Sequence, residues 1–335
     1  MRLPLIIGHR GARGFAPENS WSGFKKAREL RIDGIELDIH LTKDNQIVVI
    51  HDTNLRRLTG ENVDLKNFTF QELQKYNIAH YFSPYLEKIT RRIPEEKKYF
   101  IELRALDDHK YFINVFGANR YRKISFYLFW DGEKFSTIKK LIIPRQIGIR
   151  KGLKLLKIKK EDKISQLKKN ELLSIDQRIP LLKDILKVFK NKSTLINIEI
   201  KGGERLYPGI IDRLIKEIED FPPQSLLFSL FDRKTALMMK KKYPHLQVNY
   251  LSLQPIIPGT YLNDLDGLNY YYLWVTSRLI ERLHQKKKTI YVWTVNQELD
   301  MIRFILSGVD GIITDYPQVL KKISKTLRSL FVGFE

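Results

Sequence analysis

The chain has 335 residues, of which 43% are hydrophobic, so it is long enough for one large domain or a domain with an appendage. It contains no cysteine, which excludes disulfide bonds, thiolate metal sites and a cysteine nucleophile. Its 59 lysines and arginines outnumber its 38 aspartates and glutamates, and the net charge of +21 favours anionic partners such as phosphates, acidic lipid headgroups or nucleic acid.

The sequence shows no sign of a membrane-spanning or targeting segment. It has no run of about 18 apolar residues, and its first residues lack the apolar stretch and cleavage site of a signal peptide. Together with the absence of cysteine, this predicts a cytoplasmic protein. Peripheral contact with a membrane surface remains compatible with the basic charge.

Short apolar runs predict eight β-strands. The runs are β-branched or aromatic, mostly four to six residues long, and continuous rather than alternating, which is typical of buried parallel strands. In chain order they are residues 5–8, 34–39, 47–51, 195–200, 226–231, 247–251, 289–293 and 310–314.

Helical patterns lie between several of these runs. Apolar residues recur at helical spacing in 20–32, 208–221, 232–244 and 298–308, and the last segment ends in Gly308, a residue suited to a helix C-cap. Alternation of helices with eight strands predicts an α/β protein of the (β/α)₈ TIM-barrel class.

One long segment interrupts the alternation. Residues 80–178 separate the third predicted strand from the fourth and carry 24 lysines and arginines against 12 acids. The segment holds three strand-like pieces and a basic amphipathic stretch, residues 149–169. Since it is rich in aromatic residues and isoleucine, we interpret it as an inserted basic subdomain rather than disorder. The predicted catalytic barrel then comprises residues 1–79 and 179–335.

Carboxylates occur within the predicted strands, where burial of a lone charge is costly. Glu36 and Asp38 are two residues apart on the second strand and therefore share one face, and Glu199 lies on the fourth strand. At the carboxyl ends of barrel strands such side chains converge on one pocket. Three converging acids repel each other unless a cation binds them, and oxygen ligands suit Mg²⁺ or Ca²⁺.

Histidines and cations flank the same predicted pocket. His9 and His51 end the first and third strands, and a pair of imidazoles can accept one proton and deliver another near neutral pH. Arg10 follows His9, and Lys201 follows the fourth strand. Metal ligands, two histidines and two cations together favour cleavage of a phosphodiester.

Other polar residues are interpreted as supporting, turn or surface residues. His40 shares the face of Asp38 by parity, so it is a candidate for supporting the site from behind. Asp315, which precedes Pro317 by two residues, is interpreted as the start of a turn rather than as a partner of the site. The histidines interpreted as surface residues are His80, His109, His245 and His284.

Several motifs together resemble the glycerophosphodiester phosphodiesterase family. They are GHRGARGFAPENS, GIELDIHLTKDNQIVVIHDTNLRRLTG, LINIEIKGG, VWTVN and GVDGIITDYP, and they occur in the family's order over residues 5–75 and roughly 178–320. The resemblance implies a TIM barrel that hydrolyses glycerophosphodiesters to sn-glycerol 3-phosphate and an alcohol with one divalent cation, Mg²⁺ or Ca²⁺. The residues that it implies are the acid–base pair His9 and His51, the metal ligands Glu36, Asp38 and Glu199, the phosphate contacts Arg10 and Lys201, and Trp293 on the glycerol side of the pocket.

Two further hypotheses remain open at this point. The first is an enzyme of the lysophospholipase D type in the same superfamily, whose basic amphipathic stretch, with Leu153, Leu155, Leu156 and Ile158 between lysines, contacts an anionic membrane. The second is a nucleic-acid-binding module inserted in the barrel. The complete set of catalytic residues argues against nucleic acid as the partner of this protein.

Overall fold

The structure is a computed structural model that describes residues 3–79, 100–105, 110–116, 123–130, 135–137, 177–190, 194–256 and 262–332. The chain forms two compact units. One consists of Met1–Ile78 with Gln177–Glu335, and the other of Ala79–Asp176. All eight residues implied above as catalytic, metal-binding or substrate-binding lie in the first unit.

Each of the eight predicted runs corresponds to a described strand, and five further strands are described. In chain order they are β1 (Leu5–Gly8), β2 (Gly34–Leu41), β3 (Ile47–Val49), β4 (Phe100–Ala105), β5 (Lys110–Phe116), β6 (Lys123–Trp130), β7 (Phe135–Thr137), β8 (Leu195–Ile200), β9 (Leu226–Leu230), β10 (Gln247–Ser252), β11 (Gly267–Tyr271), β12 (Thr289–Trp293) and β13 (Gly311–Thr314).

Eight of these strands form a closed parallel barrel. They pair in the order β1, β2, β8, β9, β10, β11, β12 and β13, and β13 pairs with β1 to complete the ring. Helices lie between most of these strands along the described chain. The predicted (β/α)₈ fold with a long insertion between the third and fourth strands of the first unit is therefore confirmed.

The identity of two strands was predicted wrongly. Residues 47–51 were expected to form a parallel barrel strand, but β3 pairs antiparallel with the end of β2 and lies outside the ring. Its Val48 and the following Ile50 pack in a separate hydrophobic cluster beside the barrel. The vacant position in the ring belongs to β11, which the sequence analysis did not identify.

Helices surround the barrel and include one at each of the four positions that the apolar spacing indicated. The described helices are α1 (Trp21–Glu29), α2 (Arg56–Thr59), α3 (Phe70–Leu73), α4 (Leu182–Phe189), α5 (Gly203–Leu206), α6 (Ile210–Ile218), α7 (Arg233–Lys242), α8 (Ser277–Gln285), α9 (Glu298–Ser307) and α10 (Pro317–Val332). Gly308 ends α9 in the left-handed conformation, as expected. Within the described residues, every helix is too short or too polar to cross a bilayer.

The two faces of β2 show how the barrel wall divides apolar from polar residues. Ile35, Leu37 and Ile39 are buried in the hydrophobic cluster between the strands and the outer helices. Glu36 and Asp38 have the opposite parity and face the barrel interior. The strand therefore presents carboxylates to the interior because its apolar residues alternate with them.

Phe24 of α1 offers a test of this outer core. Its side chain is fully buried and meets Phe189 of α4 edge-to-face, with ring centroids 6.5 Å apart. Phe24→Ala is expected to lower the free energy of unfolding by about 3–5 kcal/mol, since it removes apolar contact and leaves a cavity. Urea unfolding measures this loss. Trp21→Ala, at an exposed position of the same helix, is the control, and an equal effect of both changes would contradict the assignment of Phe24 to the core.

The second unit contains an antiparallel sheet in the described part of its chain. Its four strands follow the order β4, β5, β6 and β7. The strand-like pieces identified in the sequence correspond to β4, β5 and β6. The predicted amphipathic stretch 149–169 lies outside the described residues, as do His80 and His109.

Candidate active site

The turn after β1 brings His9 and Arg10 to the mouth of the barrel. Arg10 and Gly11 adopt positive φ values of 49° and 90°. A Cβ atom on Gly11 would lie 2.8 Å from the backbone of Gly23, so glycine is required there. The turn directs the Arg10 amide N–H to Glu36 Oε2, which accepts its hydrogen bond at 2.9 Å.

Three carboxylates meet at the centre of the site. β2 and β8 pair so that Asp38 stands opposite Glu199, with Glu36 one pleat away on the same face. All three side chains are buried, and one oxygen atom of each lies within 4.8 Å of the others. The structure therefore brings together the three acids that sequence parity predicted to converge.

The electrostatics of these acids favour a bound cation. Burial, together with the charges of Asp38 and Glu199, raises the pKa of Glu36 well above its usual value. Burial also raises the pKa of Glu199 to about 7, with Asp38 adding to the effect against Lys201. Burial opposes ionisation of Asp38 too, but Lys201 and Arg10 hold its pKa far below normal. Three carboxylates cannot all ionise here without added positive charge.

The donor set fits a divalent cation of the Mg²⁺ or Ca²⁺ type. Asp38 Oδ1 and Glu199 Oε1 are buried and accept no hydrogen bond from the described residues, although Lys201 Nζ lies at ion-pair distance from both. Carboxylate oxygens that are buried and clustered are the ligands that hard cations prefer.

Arg10 and Lys201 provide the positive charge beside the carboxylates. The Arg10 guanidinium donates to Glu18 Oε1 at 2.8 Å, and its Nε atom lies 3.3 Å from Asp38 Oδ2. Lys201 Nζ lies 2.9 Å from Asp38 Oδ1. Burial lowers the pKa of Lys201, but Asp38 and Glu199 outweigh it and raise the value to about 12, so the ammonium group is charged.

His9 is oriented by Asp315, which corrects the interpretation of that aspartate as only a turn residue. His9 Nδ1 lies 2.6 Å from Asp315 Oδ1, and Asn296 donates to the other oxygen of Asp315 at 2.7 Å. Burial, and then the charge of Arg10, lower the pKa of His9. The carboxylate thus fixes Nδ1 and leaves Nε2 directed to the carboxylate cluster, 3.9 Å from Glu36 Oε2.

His51 is held in a similar way on the other side of the cluster. Its Nδ1 atom lies 2.6 Å from Asp52 Oδ1, and Arg57 Nε donates to Asp52 Oδ2. Arg57 also donates to Glu18, the carboxylate that binds Arg10. The site predicted from the sequence did not include Asp52, Arg57 or Glu18, although each belongs to the motifs that carry the resemblance.

His40 supports His51 from behind, as its parity suggested. One ring nitrogen lies 2.9 Å from the Tyr207 hydroxyl, and the other lies 3.0 Å from the backbone oxygen of His51. Burial lowers the pKa of His40 to about 4, so the ring is neutral near pH 7. Of the two other histidines in the described residues, His245 is exposed and His284 pairs with Asp310 at the amino end of β13.

Trp293 lies at the carboxyl end of β12, inside the barrel. Its ring meets Phe231 and Tyr271 with centroid distances of 5.9 and 5.7 Å. Its indole Nε1 is buried and makes no hydrogen bond to any residue that the structure describes. The site therefore has an aromatic wall with a free donor, opposite the charged wall formed by β2 and β8.

The contact between Asp315 and His9 predicts how loss of the carboxylate changes kcat. Asp315→Asn is expected to lower kcat about 10- to 100-fold with little change in KM, because partners that fix a functional histidine contribute by orientation. Steady-state kinetics on a glycerophosphodiester measure both constants. Asp310→Asn, which alters the His284 pair at the opposite end of β13, is the matched control. A fall in KM alone, or equal effects of both variants, would contradict this role for Asp315.

The site can be compared with known proteins. The sequence profile of the Glycerophosphoryl diester phosphodiesterase family matches residues 9–319. The chain belongs to this family. The match includes all eight residues that the resemblance implied, and it confirms that this glycerophosphodiester phosphodiesterase family member is a phosphoric diester hydrolase.

Relatives of this family member match it over nearly its whole length. A glycerophosphodiester phosphodiesterase from Caldanaerobacter subterraneus subsp. tengcongensis is 28% identical over 320 residues, 94% of this chain and 96% of that protein. A lysophospholipase D from Mus musculus is 25% identical over 357 residues, 95% of this chain and 85% of that protein. A phosphodiesterase from Oleispira antarctica, solved with the product sn-glycerol-3-phosphate, has a TM-score of 0.62 at 19% identity and covers 96% of this chain and 97% of that one.

Proposed function

We propose that the protein hydrolyses glycerophosphodiesters to sn-glycerol 3-phosphate and an alcohol, with a divalent cation and two catalytic histidines. One observation carries this proposal: three buried carboxylates within 4.8 Å of one another lie between two histidines, each with Nδ1 bonded to an aspartate. Family membership supports the reaction class, and the relative solved with sn-glycerol-3-phosphate supports the product.

Glu36, Asp38 and Glu199 are the proposed metal ligands. A bound Mg²⁺ or Ca²⁺ supplies Lewis-acid stabilisation of charge on the phosphoryl oxygens. Its charge would also offset burial and mutual repulsion, which together raise the pKa values of Glu36 and Glu199. The charge balance of the chain's own residues thus supports the proposed metal site.

Arg10 and Lys201 are the proposed phosphate contacts. Both are buried or nearly so and stay positively charged beside the carboxylate cluster. A guanidinium and an ammonium in a site shielded from water stabilise the negative charge that builds on the phosphoryl oxygens as the bond to the leaving group breaks. Glu18 and Asp38 hold the Arg10 guanidinium in place for this contact.

His9 and His51 are the proposed acid and base. Asp315 and Asp52 bind the two Nδ1 atoms, so each ring has its Nε2 atom left for the reaction. One Nε2 removes a proton from the attacking hydroxyl, which belongs to water or to the glycerol moiety. The other donates a proton to the leaving oxygen.

Trp293 is the proposed contact for the glycerol end of the substrate. Its ring offers an apolar face to the carbon chain, and its buried Nε1–H is available to a glycerol hydroxyl. We further propose that residues 80–178 act as an inserted subdomain of their own, since the chain between Ala79 and Asp176 forms a separate compact unit.

A second candidate is lysophospholipase D activity on a membrane surface. The observation that favours it is the similarity to the mouse lysophospholipase D over 95% of this chain. In this case the basic insertion would contact anionic lipid. The chemistry at phosphorus and the catalytic residues are the same in both proposals, so only the substrate distinguishes them.

Parallel assays separate the two candidates. The full chain is incubated with Mg²⁺ or Ca²⁺ and either a soluble glycerophosphodiester or a lysophospholipid in vesicles. Release of sn-glycerol 3-phosphate from the soluble diester is the expected result. Release of lysophosphatidic or cyclic phosphatidic acid, with little activity on the soluble diester, would favour the second candidate. Activity on neither substrate would contradict both.

A further inference from the structure

A pocket of about 800 Å³ opens beside the carboxylate cluster, on the side of His51 and Lys201. Its walls come from the end of β2, the segment after β3 and the turn after β8. The lining residues are His40, His51, Asp52, Thr53, Asn54, Arg56, Arg57, Asn62, Lys201, Gly202 and Leu206. Two of them, His51 and Lys201, are proposed to act on the phosphate itself, so the pocket begins where the reacting phosphate lies.

The pocket and the aromatic wall lie on opposite sides of the reacting centre. In the ring of eight strands, β2 stands opposite β11, and β8 stands opposite β12. Tyr271 and Trp293 end β11 and β12, while the metal ligands and the pocket belong to β2, β8 and the segments that follow them. A diester with its phosphate at the carboxylates therefore places one alcohol against the aromatic wall and the other in the pocket.

The walls of this pocket are chemically unlike the aromatic wall. Arg56, Arg57 and Lys201 are basic, and Asp52 is the single acid among the described lining residues. No Trp, Tyr or Phe occurs among them. Arg57 pairs with Asp52 and Glu18, and Lys201 pairs with Asp38 and Glu199, so Arg56 is the lining cation without a carboxylate partner among the described residues. Choline and other quaternary ammonium groups bind best in aromatic cages, and the Arg56 cation repels them. Hydroxyl groups, in contrast, find donors and acceptors on several sides.

Internal hydrogen bonds of Asn54 fix the rim of the pocket. Asn54 Nδ2 donates to Asn62 Oδ1 at 3.1 Å and to Asp64 Oδ1 at 2.6 Å. Asn54 Oδ1 accepts the backbone N–H of Arg56 at 2.9 Å, which fixes the start of α2. The Arg56 side chain is exposed and faces the pocket, so its guanidinium is available to a ligand.

We propose that this pocket is the subsite for the departing alcohol and that it selects a polyhydroxylated alcohol, such as glycerol or inositol, over a cationic one such as choline. The inference rests on the proposed function, because it names the substrate class of the same site. Trp293 and its neighbours hold the glycerol 3-phosphate half, and Arg56 with the Asn62 amide, which Asn54 fixes in place, holds the hydroxyls of the other half.

Competing diesters test the proposal. We expect kcat/KM of the full chain with added Mg²⁺ or Ca²⁺ to be at least about tenfold higher for glycerophosphoinositol than for glycerophosphocholine, the selectivity that one or two net hydrogen bonds supply. Arg56→Glu replaces the cation at the rim by an anion, and it is expected to lower this ratio about tenfold. Arg28→Glu, at an exposed position of α1, makes the same change in net charge and is expected to leave the ratio unchanged.

The outcomes distinguish this inference from the proposed function. Equal rates on the two diesters, or a ratio that Arg56→Glu leaves intact, would overturn the subsite while leaving the phosphodiesterase reaction in place. An equal change of the ratio in Arg28→Glu would show that long-range charge sets the preference, and it would also overturn the subsite. Release of glycerol 3-phosphate from neither diester would refute the proposed function and the subsite with it.

Discussion

Replacement of either His9 or His51 by alanine is expected to lower kcat by about 10²- to 10⁴-fold, the range that a positioned proton donor or acceptor contributes. KM is expected to change little, because the phosphate contacts Arg10 and Lys201 remain. The folded structure should persist, since His51 is only partly buried and His9 lies at the mouth of the barrel. Kinetics on a soluble glycerophosphodiester measure the effects on kcat and KM, and circular dichroism of each variant shows whether the fold persists.

His284→Ala is the matched control for these variants. His284 also pairs with an aspartate, Asp310, but at the amino end of β13, whereas Asp315 follows the carboxyl end of the same strand. It is expected to keep near-normal kcat. If His9→Ala or His51→Ala retained a rate close to that of the unaltered protein, the assignment of that histidine to proton transfer would be wrong.

Glu199→Gln is expected to abolish metal-dependent stabilisation and to reduce kcat on the order of 10³-fold, since Lewis-acid catalysis supplies several kcal/mol. In the metal-free protein, the same change is not expected to reduce the stability of the fold. Because burial raises the pKa of Glu199 to about 7, glutamine resembles the protonated form and relieves repulsion within the cluster. The melting temperature without metal is therefore expected to stay the same or rise.

Thermal unfolding with increasing Mg²⁺ or Ca²⁺ measures both the stability of the metal-free protein and the stabilisation that the metal adds. A ligand at 100 times its Kd stabilises the native protein by about 2.7 kcal/mol, and this increment should vanish in the variant. Asp220→Asn, an exposed carboxylate on the surface, is the control and should retain the full increment. An undiminished increment in Glu199→Gln would show that the cation binds elsewhere.

Much of the site could be predicted because a strand's parity fixes which residues meet. Glu36 and Asp38 share a face two residues apart, and parallel pairing of β2 with β8 brings Glu199 beside them. The fold class followed from the alternation of helices and buried strands. Family membership confirms the fold class and the reaction class, while the individual roles of the residues stay predictions.

The wrong assignments of β3 and β11 have clear physical reasons. β3 consists of Ile47–Val49, and it is as apolar and as buried as a barrel strand because Ile47 and Val49 pack in the main cluster and Val48 packs in a second cluster beside the barrel. β11 has the opposite character. Its Asn269 faces the barrel interior, where it accepts a hydrogen bond from Asn249 at 2.9 Å, so the strand lacks the continuous apolar run that was sought.

Apart from Asp52, which directly follows His51, the residues that hold the histidines in place could not be derived from local pattern. Asp315 lies 306 positions from His9 in the chain, and they meet only because β13 closes the barrel against β1. Arg57 and Glu18 are 39 positions apart and approach each other through the turn after β1 and the segment after β3. Contacts of this kind depend on the tertiary arrangement, which spacing along one strand does not reveal.

The central claim is that buried carboxylates, a divalent cation and two histidines cleave a glycerophosphodiester. The most direct test measures release of sn-glycerol 3-phosphate from a soluble diester by the purified full chain, first with EDTA and then with Mg²⁺ or Ca²⁺ restored in excess. The account predicts that EDTA abolishes release and that one of the two cations restores it. Release that continues unchanged in EDTA, or no release under any of these conditions, would contradict it.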